Sequence, residues 1–110
     1  MRRFCLMLDL RLDPALIAEY IEHHKAVWPE VIESLRVAGV LDMQIYNQGN
    51  HLFMIMDTDD EFTLARKAEM DAANPKVLEW ERLMGRFQQV DLQADPTTRW
   101  VELTKVFQLS

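Results

Sequence analysis

The stretches of this chain that alternate with a period of two are apolar on both alternations, and that constrains its fold more than any other feature. Phe4, Leu6, Leu8 and Leu10 interleave with Arg3, Cys5, Met7 and Asp9, and Leu52, Met54 and Met56 interleave with Phe53 and Ile55. Trp100 to Leu109 repeats the pattern. Successive side chains of a strand point to opposite faces, so a sheet built from these segments has two faces to hide. Helices of the same chain can cover one face. A chain of 110 residues makes one domain and has nothing left for the other. A second copy, a ligand cavity, or both must take that second face, and a homodimer is expected.

Between the strands the helix signals are local. Asp13-Pro14 places a capping side chain before a proline at the first helical position, and Gly39 is a terminator, so one helix is predicted over 14–38. Pro29 cannot donate a backbone bond, and bends that helix near Trp28. Leu41 to Asn47 and His51 to Asp57 form a hairpin around Gln48-Gly49-Asn50. Thr58-Asp59-Asp60-Glu61 matches a capping box, which predicts a helix from there to about Asp71. Asn74-Pro75 opens another through Val77, Trp80 and Met84, stopped near Gly85. Gln88 to Thr98 reads as a polar loop before the strand Trp100 to Leu109. The order β-α-β-β-α-β, with the second helix split, is an α+β, ferredoxin-like arrangement.

Composition removes several function classes. The net charge is −6, with 12 basic residues scattered among 18 acids, which is no footprint for nucleic acid or for an anionic membrane. No apolar run approaches the roughly 20 residues of a membrane span, and Met1-Arg2-Arg3 leads into strand sequence, so the protein reads as cytoplasmic. The single cysteine, Cys5, allows neither an internal disulfide nor a thiolate cage and reads as a small core hydrophobe. There is no glycine-rich phosphate loop, no Gly-x-Ser-x-Gly elbow and no His-Glu-x-x-His pair. His23 and His24 point about 100° apart on a helix and cannot chelate together. Neither metal nor cofactor is expected.

The chemistry concentrates in the first helix. Residues four apart share a face, so Tyr20, His24 and Trp28 form a column, with Leu16, Ile17, Ile21, Val31 and Leu35 in neighbouring rows. Glu19, Glu22, Lys25, Glu30, Glu33 and Arg36 make the wet side, toward which His23 leans. His24 interrupts an apolar stripe and reads two ways. It is either a core histidine bonded to a backbone carbonyl or a general acid or base in a pocket walled by Tyr20 and Trp28.

These residues carry a resemblance. Glu19-Tyr20, His24, Trp28-Pro29-Glu30, Ile45-Tyr46, Leu52-Phe53, Trp80 and a final strand with Val106-Phe107 resemble, in order and spacing, the L-rhamnose mutarotase family along the whole chain. The resemblance implies one mutarotase-like domain over 1–110 with a dimeric α+β barrel fold. It also implies that His24 stands at the family's proton donor and Tyr20 at a sugar-binding tyrosine. Two positions depart: a sugar-contacting tyrosine falls at Met43, and tandem tryptophans appear as Glu79-Trp80. Met43, Glu79, Trp80 and Trp28 join Tyr20 as expected substrate contacts.

Mutarotation opens a pyranose by removing the anomeric hydroxyl proton and protonating the ring oxygen, then recloses on the other carbonyl face. General acid–base help is worth about 10²–10⁴-fold, so one histidine without a cofactor is adequate. His24 would serve the ring oxygen, with Tyr20, a water or a carboxylate at the anomeric hydroxyl. Glu79, as an acceptor in place of a ring, favours a 6-deoxyhexose other than L-rhamnose, with L-fucose first and L-rhamnose next. Two rivals stand beside this reading. One is a cofactor-free monooxygenase or haem-binding barrel, with His24 as axial ligand. The other is a dimer that binds a small molecule without turning it over.

Overall fold

The computed structural model describes residues 1–90, 95 and 99–110. In chain order it contains β1 (Arg2–Asp9), α1 (Pro14–His23), a 3-10 turn (His24–Ala26), α2 (Pro29–Ala38), β2 (Val40–Gln48), β3 (His51–Thr58), α3 (Leu64–Ala72), α4 (Pro75–Gly85) and β4 (Val101–Glu102). The strands form one antiparallel sheet in the order β2-β3-β1-β4, as the ferredoxin-like expectation requires. No helix among the described residues is long and apolar enough to cross a membrane.

The local signals act where the sequence places them, with three exceptions. Asp13 accepts from the amides of Ala15 and Leu16 at 3.0 and 3.4 Å, and Asn74 accepts from Lys76 and Val77 at 3.1 and 3.3 Å. These bonds hold the first turns of α1 and α4 ahead of their prolines. Gly39 ends α2 with φ 102°, where a β-carbon would meet Asp59 Oδ2 at 2.7 Å.

The first exception is the helix predicted over 14–38, which is broken and not merely bent. Val27 and Trp28 are extended, with ψ 136° each, and α2 restarts at Pro29. The second is the capping box. Thr58 is fully buried as the last residue of β3, where it faces Val40 and Arg2, and Asp59 folds back to bond the Glu61 amide at 3.1 Å. Phe62 is then buried against Phe4, with ring centroids 5.4 Å apart, and only afterwards does Thr63 cap α3 through the Arg66 amide at 3.1 Å. Tertiary burial of Thr58 and Phe62 outweighs a capping pattern that only a solvated segment would follow.

The third exception is the last strand. Only Val101 and Glu102 pair with β1, and Leu103 adds one amide bond to the Cys5 carbonyl at 2.7 Å. Val106, Phe107 and Leu109 stay 93%, 76% and 90% exposed. An edge ladder repays the entropy of ordering a strand only where a face is also buried, and within one chain this segment has no cover. Most of the expected Gln88–Thr98 loop lies outside the described residues. Its first residue is no loop residue: Gln88 is buried and bridges Leu10.

One face of the sheet carries the core. Phe4, Leu6, Met54 and Met56 meet Val40, Ala38 and Phe62 in one cluster, and Leu10 and Leu52 meet Tyr20, Val31, Trp80, Met84 and Phe87 in another. A bulge between Val40 and Asp42 inserts Leu41 as an extra, exposed residue. One extra residue exchanges the faces of everything after it, so Met43 and Ile45 turn to the helix side opposite Met56 and Met54.

Because Phe62 fills the core and Glu61 caps nothing, Phe62→Ala should cost about 3–5 kcal/mol. Glu61→Ala should cost less than about 0.5 kcal/mol. Urea unfolding of both variants checks this; a Glu61→Ala loss near 1 kcal/mol would restore the capping box.

Candidate active site

Between the sheet and the helices lies a cavity of about 780 Å³, bordered by Tyr20, His24, Val31, Met43, Trp80 and Glu81. Met54 and Met56 of β3 contribute to its floor. The sequence allowed a cavity on the sheet face that the helices leave bare. It forms instead on the covered face, where the helices stand far enough off the sheet to leave room.

Tyr20 lies in the last two turns of α1 and is 3% exposed. His24 follows at the junction with the 3-10 turn, its ring 4.3 Å from that of Tyr20 and 5.6 Å from Trp80, which it meets edge on. Its Nδ1 is 2.9 Å from the Tyr20 carbonyl oxygen. A carbonyl can only accept, so Nδ1 carries a proton and donates it there in both charge states. All acid–base change at His24 therefore occurs at Nε2. The carbonyl bond expected of a core histidine is present, and it fixes the tautomer with Nε2 outside that bond.

Burial sets the protonation states. Desolvation lowers the His24 pKa, only partly opposed by the Tyr20 carbonyl, and neighbouring His23 lowers it further, so the neutral ring is favoured. The Tyr20 hydroxyl is pushed the other way, by desolvation first and then by the charge of Glu81, and stays a donor.

Glu81 is the residue that sequence reasoning missed. Its carboxyl pKa is raised from 4.5 to about 7 by burial, with Asp71 adding to the rise and Lys67 and Arg99 opposing it. The signal was there in the spacing: Glu81 falls four residues after Val77 and three before Met84, on the side of α4 that buries both together with Trp80, and is itself half-buried. Trp80, Glu81 and Met84 line the cavity, with Gln88 just past the helix. Arg99 braces this end of α4, donating to the Glu81 carbonyl at 2.7 Å and to Gln88 Oε1 at 3.2 Å. Gly85 makes room for it, since a β-carbon there would stand 2.9 Å from Nη1. The expected terminator thus acts by its size.

Other expected contacts lie elsewhere. Glu79 is exposed on the outer side of α4, 3.5 Å from Lys76 Nζ, and does not line the cavity; one residue along a helix turns a side chain about 100°. Trp28 packs edge-on against Trp80, 5.2 Å away, and backs the cavity wall without reaching it. His23 rests on the Phe87 ring at 5.4 Å. Trp100, just ahead of β4, joins the lining and had been read only as strand.

With this geometry in hand, comparison with known proteins is specific. The L-rhamnose mutarotase family model matches residues 3–109. The chain belongs to that family. An L-fucose mutarotase of Xanthomonas campestris pv. campestris is 41% identical over 112 residues, covering 100% of this chain and 90% of that protein. An L-rhamnose mutarotase of Phocaeicola vulgatus is 32% identical over 100 residues, covering 89% and 90%. The crystal structure of an L-rhamnose mutarotase from Formosa agariphila superposes over 100% of both chains with a TM-score of 0.75 at 23% identity, a likeness of fold. Family members interconvert the anomers of a sugar, and of the expected contacts this cavity brings together Tyr20, His24, Met43 and Trp80.

A buried carboxyl whose folded pKa is raised binds its proton more tightly in the folded state than in the unfolded one. Its contribution to stability is complete below about 4.5 and is lost as pH rises through about 7. The stability difference between wild type and Glu81→Gln should therefore shift against wild type from pH 4.5 to 8, read by urea unfolding at both. An unchanged difference would mean that Glu81 is solvated.

Proposed function

We propose that this protein is an aldose mutarotase that takes a free 6-deoxyhexose, L-fucose first and L-rhamnose second, with His24 as a proton-transfer residue. The observation that carries the reading is the His24 ring, tied at Nδ1 to the Tyr20 carbonyl with Nε2 left for chemistry, in a cavity walled by Tyr20 and Trp80. The apolar patches of a sugar ring and a C6 methyl suit aromatic and methionine walls, while the Tyr20 hydroxyl supplies a directed donor. Glu79, the sequence's reason for ranking L-fucose first, faces solvent. The order now rests on the 41% identity, over the whole chain, with an L-fucose mutarotase. Cytoplasmic work on a soluble monosaccharide goes with this function.

The reading also includes a homodimer. Strand register aligns Tyr46, Phe53, Met7 and Val101 in one row across all four strands, on the face away from the helices. They are 56%, 37%, 37% and 60% exposed. The next row holds Gln44, Ile55 and Cys5, with Leu103 bonded to the last. Polar pairs bound the apolar rows: Arg3 with Asp57 at 2.7 Å and His51 with Asp9 at 2.7 Å. A second copy presenting the same rows would cover them, and residues 103–110, exposed in the single chain, are available to join that cover.

Saturation-transfer NMR of anomeric protons with a panel of aldoses tests the activity. His24→Ala should lower exchange roughly 10²-fold or more without a lower melting temperature, and His23→Ala should change little. Equal loss in both variants would make His24 a structural residue. Sedimentation at micromolar concentration should give a dimer, and Met7→Glu with Phe53→Glu a monomer; a monomeric wild type would leave the apolar rows unexplained.

A further inference from the structure

Resting on the mutarotase reading, we infer that Glu81 is the second catalytic residue, the acid that protonates the sugar's ring oxygen while His24 acts on the anomeric hydroxyl. Ring opening needs two groups, and His24 supplies one. Of the other carboxylates nearby, Glu79 is outside the cavity, Asp71 is bonded to Lys67 Nζ at 2.6 Å, and Asp42 of β2 and Glu102 of β4 border the cavity only as exposed side chains at its rim. Glu81 borders the same cavity as His24, follows Trp80 directly on α4, and lies close enough to Tyr20 for its charge to be felt at that hydroxyl. Charged and titratable groups reach this cavity from every element around it: Lys67 and, beside Glu81, Asp71 from α3, Arg36 from α2, Asp42 from β2, Arg99 ahead of β4 and Glu102 on it, and Tyr20 and His24 from α1 and its last turn.

Burial acts with opposite sign on the two groups. It favours a neutral imidazole and a neutral carboxyl, so at rest His24 is a base and Glu81 an acid. In opening, Nε2 of His24 takes the anomeric hydroxyl proton and the C1–O5 bond breaks. Its electron pair stays on O5, which takes the Glu81 proton, and O1 becomes the carbonyl oxygen. After rotation about C1–C2, the Glu81 carboxylate takes the proton back from the O5 hydroxyl as O5 adds to the other carbonyl face. The imidazolium returns its proton to O1. Each group ends as it began, and no other reactant is consumed. The sequence-based assignment of His24 to the ring oxygen is thereby exchanged, and His24 becomes the donor in the closing half.

The test is the pH profile of anomer exchange on L-fucose and L-rhamnose with wild type, Glu81→Gln and Glu81→Asp. Wild type should show a bell: an acid limb from His24, and an alkaline limb falling as pH rises through about 7 as Glu81 loses its proton. Glu81→Gln should lose about 10²-fold in kcat, keep KM within about threefold as a non-binding role requires, and lose the alkaline limb. Glu81→Asp, which also serves if the glutamine variant does not fold, should keep the limb at reduced kcat. Wild type inactive on both sugars at every pH would overturn the mutarotase reading itself. Active wild type with kcat unchanged in Glu81→Gln, or with its alkaline limb intact there, would overturn the role of Glu81 alone.

Discussion

The site depends on the ring of Pro29, which crowds the backbone of the residue before it. Because the residue before a proline is driven into extended backbone, Trp28 leaves the helix and Val27 leaves with it, each at ψ 136°. α1 must therefore end one turn earlier, and it does so in a tightened 3-10 turn that begins at His24. At a helix end a side chain can swing back onto the carbonyl four residues before it, and His24 Nδ1 does this at Tyr20. A continuous helix would have kept the column of Tyr20, His24 and Trp28 on one line. The break sends Trp28 behind Trp80 and leaves His24 at the cavity wall.

Desolvation acts at that wall on groups of unlike charge type. A desolvated cation-forming ring and a desolvated anion-forming carboxyl both drift toward neutrality, which lowers the His24 pKa from its ordinary 6.5 and raises that of Glu81 to about 7. Lys67 and Arg99 limit how far Glu81 can rise, and the Tyr20 carbonyl limits how far His24 can fall.

The sheet separates two tasks by face. Its helix side holds the core and the cavity, and the bulge after Val40 decides that Met43 belongs to that side. Its other side carries two largely apolar rows framed by the polar pairs Arg3–Asp57 and His51–Asp9. Cavity and bare face thus draw on alternate residues of the same strands.

The sequence alone determined the element order, the ferredoxin-like class, the caps at Asp13 and Asn74, the stop at Gly39 and the pairing of Tyr20 with His24. All of these follow from spacing and from residue types whose local physics is strong. Tertiary structure decided the rest. Thr58 gave up a capping pattern because the ladder and core bury it, and Phe62 kept α3 from starting until its ring was seated. The last strand stopped at Glu102 because pairing without a covered face does not repay its order. Glu79 and Glu81 look alike in a list of residues. Helical spacing puts them on different sides of α4, but only the packing of α4 over the sheet opens a cavity beside Glu81, where loss of water changes its acidity, and leaves Glu79 in solvent near Lys76.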